Sequence, residues 1–212
     1  MKYALVTPVN YFRYYAAEAD YNMLLSHWLI TNELKQSFID EISVYDGKLM
    51  LDNSAYDLSS KTSVEGESLH NICSRLNPAL LVLPDVIGSP EMTEQLSTRY
   101  YKHYIKPDKR RALCFVLHSN NIGKNVEQAR KIKKSLVMQG DIDVWGLPFL
   151  AVNGSASERS KFATALYNET GIKSHLLGMP RKGSLLEIAQ CGKEAISSLD
   201  SGYPITLALH GK

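Results

Sequence analysis

The chain has 212 residues, 44% of them hydrophobic and 22% charged, which is enough apolar material for one sizeable core and too much for a disordered polymer. The formal net charge of +2 provides no global field that would select a polyanionic partner, and no apolar stretch reaches the length of a membrane span. The opening MKYALVTPVN is too short, and too soon broken by Pro8, for a signal peptide, so a cytoplasmic protein is expected.

In chain order, YALV (3–6) predicts a first strand, and ADYNMLLSHWLITNELKQSFIDEI (19–42) has the apolar spacing of a helix. Strands then follow at 48–51, 80–83 (LLVL), 112–117 (ALCFVL), 142–147 (IDVWGL), 174–178 (SHLLG) and 195–199 (AISSL). Helical patterns fall between them at 63–76, 89–105, 125–139, 157–171 and 182–195, several opened by Ser, Asn or Asp at a cap position. No Pro/Gly/Ser-rich linker interrupts this alternation, so residues 1–212 read as a single domain of strand-helix units around a parallel sheet.

Two α/β architectures suit the pattern: a doubly wound open sheet or a TIM-type (β/α) barrel. Neither GxGxxG nor GxxxxGK[ST] is present, which removes the usual support for a nucleotide-binding open sheet and favours the barrel. Only seven strands are countable, with YPITLALHGK left for an eighth unit. The barrel is therefore expected to be minimal or incomplete at its C-terminal end, with a seam between its first and seventh strands that a second copy or a partner chain would complete, the plainer alternative being that the tail folds over the gap by itself.

Cys73, Cys114 and Cys191 lie far apart with no CxxC pair and read as buried free thiols. The basic clusters KPDKRR (106–111), KIKK (131–134) and PRK (180–182) suit phosphate contacts, although such faces are more often plain solvated surface.

The informative feature is what ends the strands. LML runs into Asp52, and one such carboxylate is readily explained as a helix cap. The pattern recurs, however, with Asp85 after LVLP and Asp200 in SSLDSGYP, while His118 ends CFVLH, Gly146 interrupts VWGLPF, and Gly178 and Met179 close HLLGMP. In a barrel these ends converge on one mouth, where three carboxylates from distant parts of the chain would meet around a small molecule. Acids so gathered repel, raising at least one pKa, which suits one to proton transfer and another to remaining an ionised nucleophile. A divalent cation is the competing use of such a cluster, but none of Asp52, Asp85 and Asp200 belongs to a DxD or ExxH unit and no metal is expected.

Taken as one ordered series, LDNSAYDL, NPALLVLPDVIGSPEMT, VWGLPF, SHLLGMP and SLDSGYPI resemble the tRNA-guanine transglycosylase family. The similarity is nearest to its short, largely virus-encoded relatives linked to placing 7-deazaguanines in DNA. The resemblance implies that Asp200 is the nucleophile toward C1′ of a guanine nucleotide and that Asp52 acts as general acid or base on the departing and entering bases. It further implies that Asp85 accepts from the Watson-Crick edge of the base, that the Gly146 backbone donates to the base carbonyl and that Met179 lies against its face. His118 sits where the family has a polar side chain that contacts the base, though packing of a strand-end histidine explains it nearly as well, and Leu147, Gly178, Asn53 and Ser54 complete the implied binding set.

The implied partners are a 7-deazaguanine base and a nucleic acid, DNA before tRNA. No cofactor is expected, because the Cys/His zinc site of larger members has no counterpart in the sequence. Extruding a nucleotide from a stack would use aromatic groups, and Tyr11, Phe12, Tyr14 and Tyr15 are candidates, with packing of a long loop the more ordinary role. Two other readings stay open: a catalytically silent nucleic-acid-binding or partner subunit, and a barrel enzyme acting on free nucleosides or bases.

Overall fold

The structure, a computed structural model, describes residues 1–8, 11–15, 19–30, 38–40, 42, 45, 47–58, 60–106, 111–135, 137–138, 140–149, 155–179, 189, 194–202 and 204. Its frame is a closed barrel of eight parallel strands in sequential order, β1 (Lys2–Val6), β2 (Tyr21–Leu25), β3 (Leu49–Asp52), β4 (Leu80–Val82), β5 (Ala112–Val116), β6 (Val144–Pro148), β7 (Ser174–Leu177) and β8 (Ile196–Ser201). This is the TIM-type architecture expected, but without the expected seam. β1 pairs with β8 over Lys2 to Leu5, so the cylinder closes on itself and needs no added strand.

The miscounted strand is β2, which the sequence pattern assigns to a long helix. It is only five residues long and passes directly into a short helix, α2 (Ser26–Ile30), with no turn between them. Met23 points into the barrel interior while Leu24 packs on the outer layer, so both faces of the strand are buried and no polar alternation betrays it.

Outside the barrel lie α1 (Phe12–Tyr15), α3 (Gly66–Leu76), α4 (Pro90–Tyr100) continued by a π-helical turn (Tyr101–Ile105), α5 (Ile122–Lys134) and α6 (Ala156–Thr170). α5 and α6 begin at side-chain caps, Asn121 accepting from the Lys124 amide and Ser155 from the Glu158 amide, and α6 ends where Gly171 turns left-handed at φ 69°. The KIKK cluster lies on α5 and is largely structural: Lys131 pairs with Glu94 at 2.7 Å, and Lys133 donates to the Thr170 carbonyl at 2.5 Å. The other two basic clusters fall mostly outside the described residues, as do Cys191 and most of the helix predicted for 182–195.

The core has two layers. Leu51, Leu81, Phe115, Trp145, Leu176 and Leu199 face outward into the helices. Ala4, Met23, Met50, Val82, Cys114, Val116 and Val144 fill the cylinder. Continuing that inward alternation along each strand aims Asp52, Pro148 and Leu177 at the C-terminal mouth. Cys73 and Cys114 are buried and free, as expected. Among the described residues, no helix is long and apolar enough to cross a membrane.

Candidate active site

At the C-terminal ends of the strands the barrel opens into a cavity of about 830 Å³, within the usual range for a small-molecule site. Asp52, Asn53, Asp85, His118, Gly178, Met179 and Asp200 all line it, although they come from five different strand ends. Met23, Leu25, Val82 and Val116 line it below, Phe149 and Tyr56 lie toward the rim, and further polar groups, Asp57, Glu91, Ser119, Asn120 and Lys124, complete its wall.

Asp52 is not a helix cap, since the next helix, α3, starts only at Gly66. Its Oδ2 accepts from the Ser54 amide at 2.7 Å, and Asn53 repeats the device one residue on, its Oδ1 accepting from the Ala55 amide at 2.9 Å. These two side-chain turns reverse the chain as it leaves β3. Ser54 takes the left-handed conformation at φ 63°, a strained choice for a non-glycine residue. Its Oγ meets Ser26 Oγ and the His27 amide, each at 3.1 Å, which ties the β3 exit to α2. Desolvation pushes the Asp52 carboxyl up to about 8 from an ordinary 3.8; the Ser54 amide opposes the rise, and the nearby charges of Asp85, Asp200 and Asp57 add to it.

Across the mouth, Asp85 stands three residues beyond β4, and its Oδ2 is in close contact with His118 Nε2 from the end of β5, both residues being buried. The β5 exit is fixed by Asn125, which accepts from the Ser119 amide at 3.0 Å and donates to the Ser119 carbonyl at 2.8 Å. Asp85 is therefore partnered by a basic strand-end residue.

Asp200 is likewise partnered, and its direction depends on an irregularity. Ser174 lies opposite Ile196 but His175 lies opposite Ser198, so β8 carries one extra residue, Ser197, at this point. Ile196 faces the outer layer, and strict alternation would send Asp200 outward with it. The bulge re-aims Ser198 and Asp200 into the barrel. There Asp200 Oδ1 accepts from the Gly178 amide at 3.0 Å and lies 3.1 Å from His175 Nε2, while its backbone carbonyl accepts from the Met179 amide at 3.0 Å.

A buried guanidinium braces this region from behind. Arg159 of α6 donates to the Leu177 carbonyl at 2.7 Å and the Leu147 carbonyl at 3.2 Å, reaches Met179 Sδ at 3.1 Å, and stacks over Phe149 at 5.0 Å. It fixes the β6 and β7 exits from which the Gly178 amide and the Met179 side chain project.

Three residues of the implied binding set do not line the cavity. Leu147 packs in the outer layer, and Ser54 is spent on the turn just described. Gly146 lies within the barrel wall, where an added Cβ would come within 3.0 Å of Cys114 Sγ and 3.1 Å of both Val116 and Leu177. Its carbonyl accepts from the Leu117 amide, so its lack of a side chain serves interior packing. In the tyrosine cluster, Phe12 is core, edge-on to Phe38 and Tyr45, whereas Tyr14 is 68% exposed.

Sequence reasoning missed His175, Ser198 and Arg159. His175 was legible in principle, as the one ionisable residue inside an apolar strand two positions before an inward-facing leucine. The bulge that sets it beside Ser198 and Asp200 leaves no sequence signature. Among the described residues, no three His, Cys, Asp or Glu side chains are arranged to hold a metal ion. The sequence matches no protein-family model and no curated protein. The site itself offers one carboxyl with a raised pKa, Asp52, a second carboxyl, Asp200, on the same cavity, and a polar edge formed by Asp85 and His118.

Proposed function

We propose that the protein is a base-exchange transglycosylase that replaces guanine in a nucleic acid, DNA rather than tRNA, with a 7-deazaguanine through a covalent Asp200 glycosyl-enzyme. The observation that carries the proposal is the pairing of unlike carboxyls on one cavity: Asp52 with its pKa pushed up to about 8, and Asp200 hydrogen-bonded, among the described residues, through Oδ1. A carboxyl whose pKa is raised suits proton donation, and a second carboxyl held by hydrogen bonds on the same cavity suits nucleophilic attack. The ordered strand-end series that resembles the transglycosylases supplies the substrate class, and the DNA assignment rests on the likeness to its virus-encoded relatives.

In the proposed reaction, Asp200 Oδ2 forms a bond to C1′ as the bond from C1′ to the glycosidic nitrogen breaks. The electron pair of that bond goes to the departing guanine, which takes the proton held by Asp52. Asp52, now ionised, removes the corresponding proton from the incoming 7-deazaguanine, whose nitrogen attacks C1′ and releases the Asp200 carboxylate. Asp85 and His118 read the base edge, and Met179 lies along its face. The wide mouth, with Tyr56 at its rim, suits a nucleotide drawn out of a stack.

Incubation with labelled guanine and with DNA or tRNA separately, followed by counting label retained in the polymer, tests the proposal. Label in DNA is expected. Label in tRNA alone would reassign the polymer, and label in neither, with free nucleosides cleaved instead, would overturn the exchange reaction.

A further inference from the structure

Beneath the Asp200 carboxylate lies a histidine that the proposed reaction does not itself employ. His175 is fully buried inside the barrel, and both ring nitrogens are engaged: Nδ1 is 2.7 Å from Ser198 Oγ, and Nε2 is 3.1 Å from Asp200 Oδ1. Ser198 is buried too and stands directly opposite His175 in the β7–β8 register, so the contact is built by the same bulge that aims Asp200 inward.

The hydrogen-bond directions follow from the partners. An ionised Asp200 only accepts, so Nε2 must carry a proton. In the neutral ring Nδ1 then accepts, and the Ser198 hydroxyl is the donor within reach. The opposite tautomer would set the Nε2 lone pair against a carboxylate lone pair.

The Gly178 amide also falls on Oδ1, at 3.0 Å. Two donors from different parts of the fold therefore hold one oxygen of the carboxylate, and among the described residues the other, Oδ2, accepts from none and is left to the cavity that Asp200 lines.

We infer that His175, locked in its Nε2–H tautomer by Ser198, is the positioning residue of the Asp200 nucleophile: it fixes the carboxylate's rotation so that Oδ2 alone faces the reacting carbon. The inference rests on the transglycosylase reading and extends it. Once Oδ2 carries the sugar, Oδ1 is the ester carbonyl oxygen. As the bond from Oδ2 to C1′ breaks in the second step, its electron pair returns to the carboxylate, and the same two donors receive the charge at Oδ1. His175 touches neither base nor sugar, so its effect belongs to turnover and not to base affinity.

Two variants and one spectroscopic measurement test this. His175→Gln keeps an N–H that can reach Oδ1, whereas His175→Leu fills the space without a donor; circular dichroism melts check that both fold. His175→Leu is expected to lower kcat about 100-fold, the loss that a misplacement of about 1 Å brings, with KM for the incoming base unchanged. His175→Gln should recover most of that loss. Unchanged kcat in His175→Leu, or a change confined to KM, would overturn the inference.

Independently of turnover, two-bond ¹H–¹⁵N correlations of the imidazoles, assigned by the signals missing from His175→Gln, should show a neutral Nε2–H ring that changes in Ser198→Ala. An Nδ1–H ring would overturn the inference as well. If the wild-type protein exchanges no base in any polymer, the transglycosylase reading falls while the tautomer measurement still decides whether His175 positions Asp200.

Discussion

Replacing Asp52 by Asn should make the protein more stable, and increasingly so as pH rises. The amide is nearly isosteric and can still accept the Ser54 hydrogen bond at the same place, so packing and turn geometry are conserved. What changes is the cost of ionisation. The folded pKa of about 8 stands above the ordinary 3.8, so between those values the folded wild type holds a proton that the unfolded chain has released. Wild-type stability therefore falls as pH rises from about 4 to about 8 and levels off beyond it. At about 1.4 kcal/mol per pH unit the ceiling is about 6 kcal/mol. Asp52 keeps some exposure to a cavity that water can enter, which reduces the expected gain to about 2–3 kcal/mol at pH 8. Urea unfolding of both proteins at intervals from pH 4 to 9 measures the difference directly. A difference that stays flat across this range, or a wild type that gains on the variant as pH rises, would mean that Asp52 is ionised in the folded state and would refute the assignment of a resident proton.

The same proton should appear in turnover: base exchange is expected to decline as pH rises past about 8, when Asp52 no longer protonates the departing guanine, and a rate profile that stays level to pH 9.5 would contradict that role. Asp85→Ala should lower discrimination between guanine and adenine-like competitors, as a ratio of kcat/KM values, by at least about 100-fold while bond cleavage persists; unchanged ratios would leave Asp85 as a partner of His118 alone. Gly146→Ala should destabilise the barrel by about 1–3 kcal/mol, because three side chains already stand at the limit of contact with the new methyl group. Thermal unfolding checks this, and an unaltered midpoint would show that the barrel interior has room to relax.

The legibility of this fold in its sequence follows from where water lies. The alternation of strands and helices, and the carboxylates at the ends of apolar runs, could be read directly because a charge after LML or LVLP is conspicuous against a buried background. β2 was hidden because both of its faces are buried and it enters α2 without a turn, so YNMLLSHWLI has the composition of either element. The expected seam between the first and last strands followed from that single omission. At the site, Asp52, Asp85, His118 and Asp200 were found by their positions at strand ends, and the gathered carboxylates led to the expectation of one raised pKa. His175 and Ser198 were not found, because their role depends on a bulge at Ser197 that shifts register by one residue. The resemblance implies a ligand-facing backbone at Gly146, whereas in the structure its missing side chain relieves crowding inside the cylinder.

Trapping the covalent intermediate tests the central claim most directly. A guanine-containing oligodeoxynucleotide, incubated with the protein in the absence of incoming base and quenched in denaturant, should yield a protein–DNA adduct by intact mass. Peptide mapping should place the bond on the segment containing Asp200, and Asp200→Asn, which folds with nearly the same volume, should form neither adduct nor exchanged product. Exchange that proceeds at the wild-type rate in Asp200→Asn, or an adduct that maps to another residue, would contradict the account.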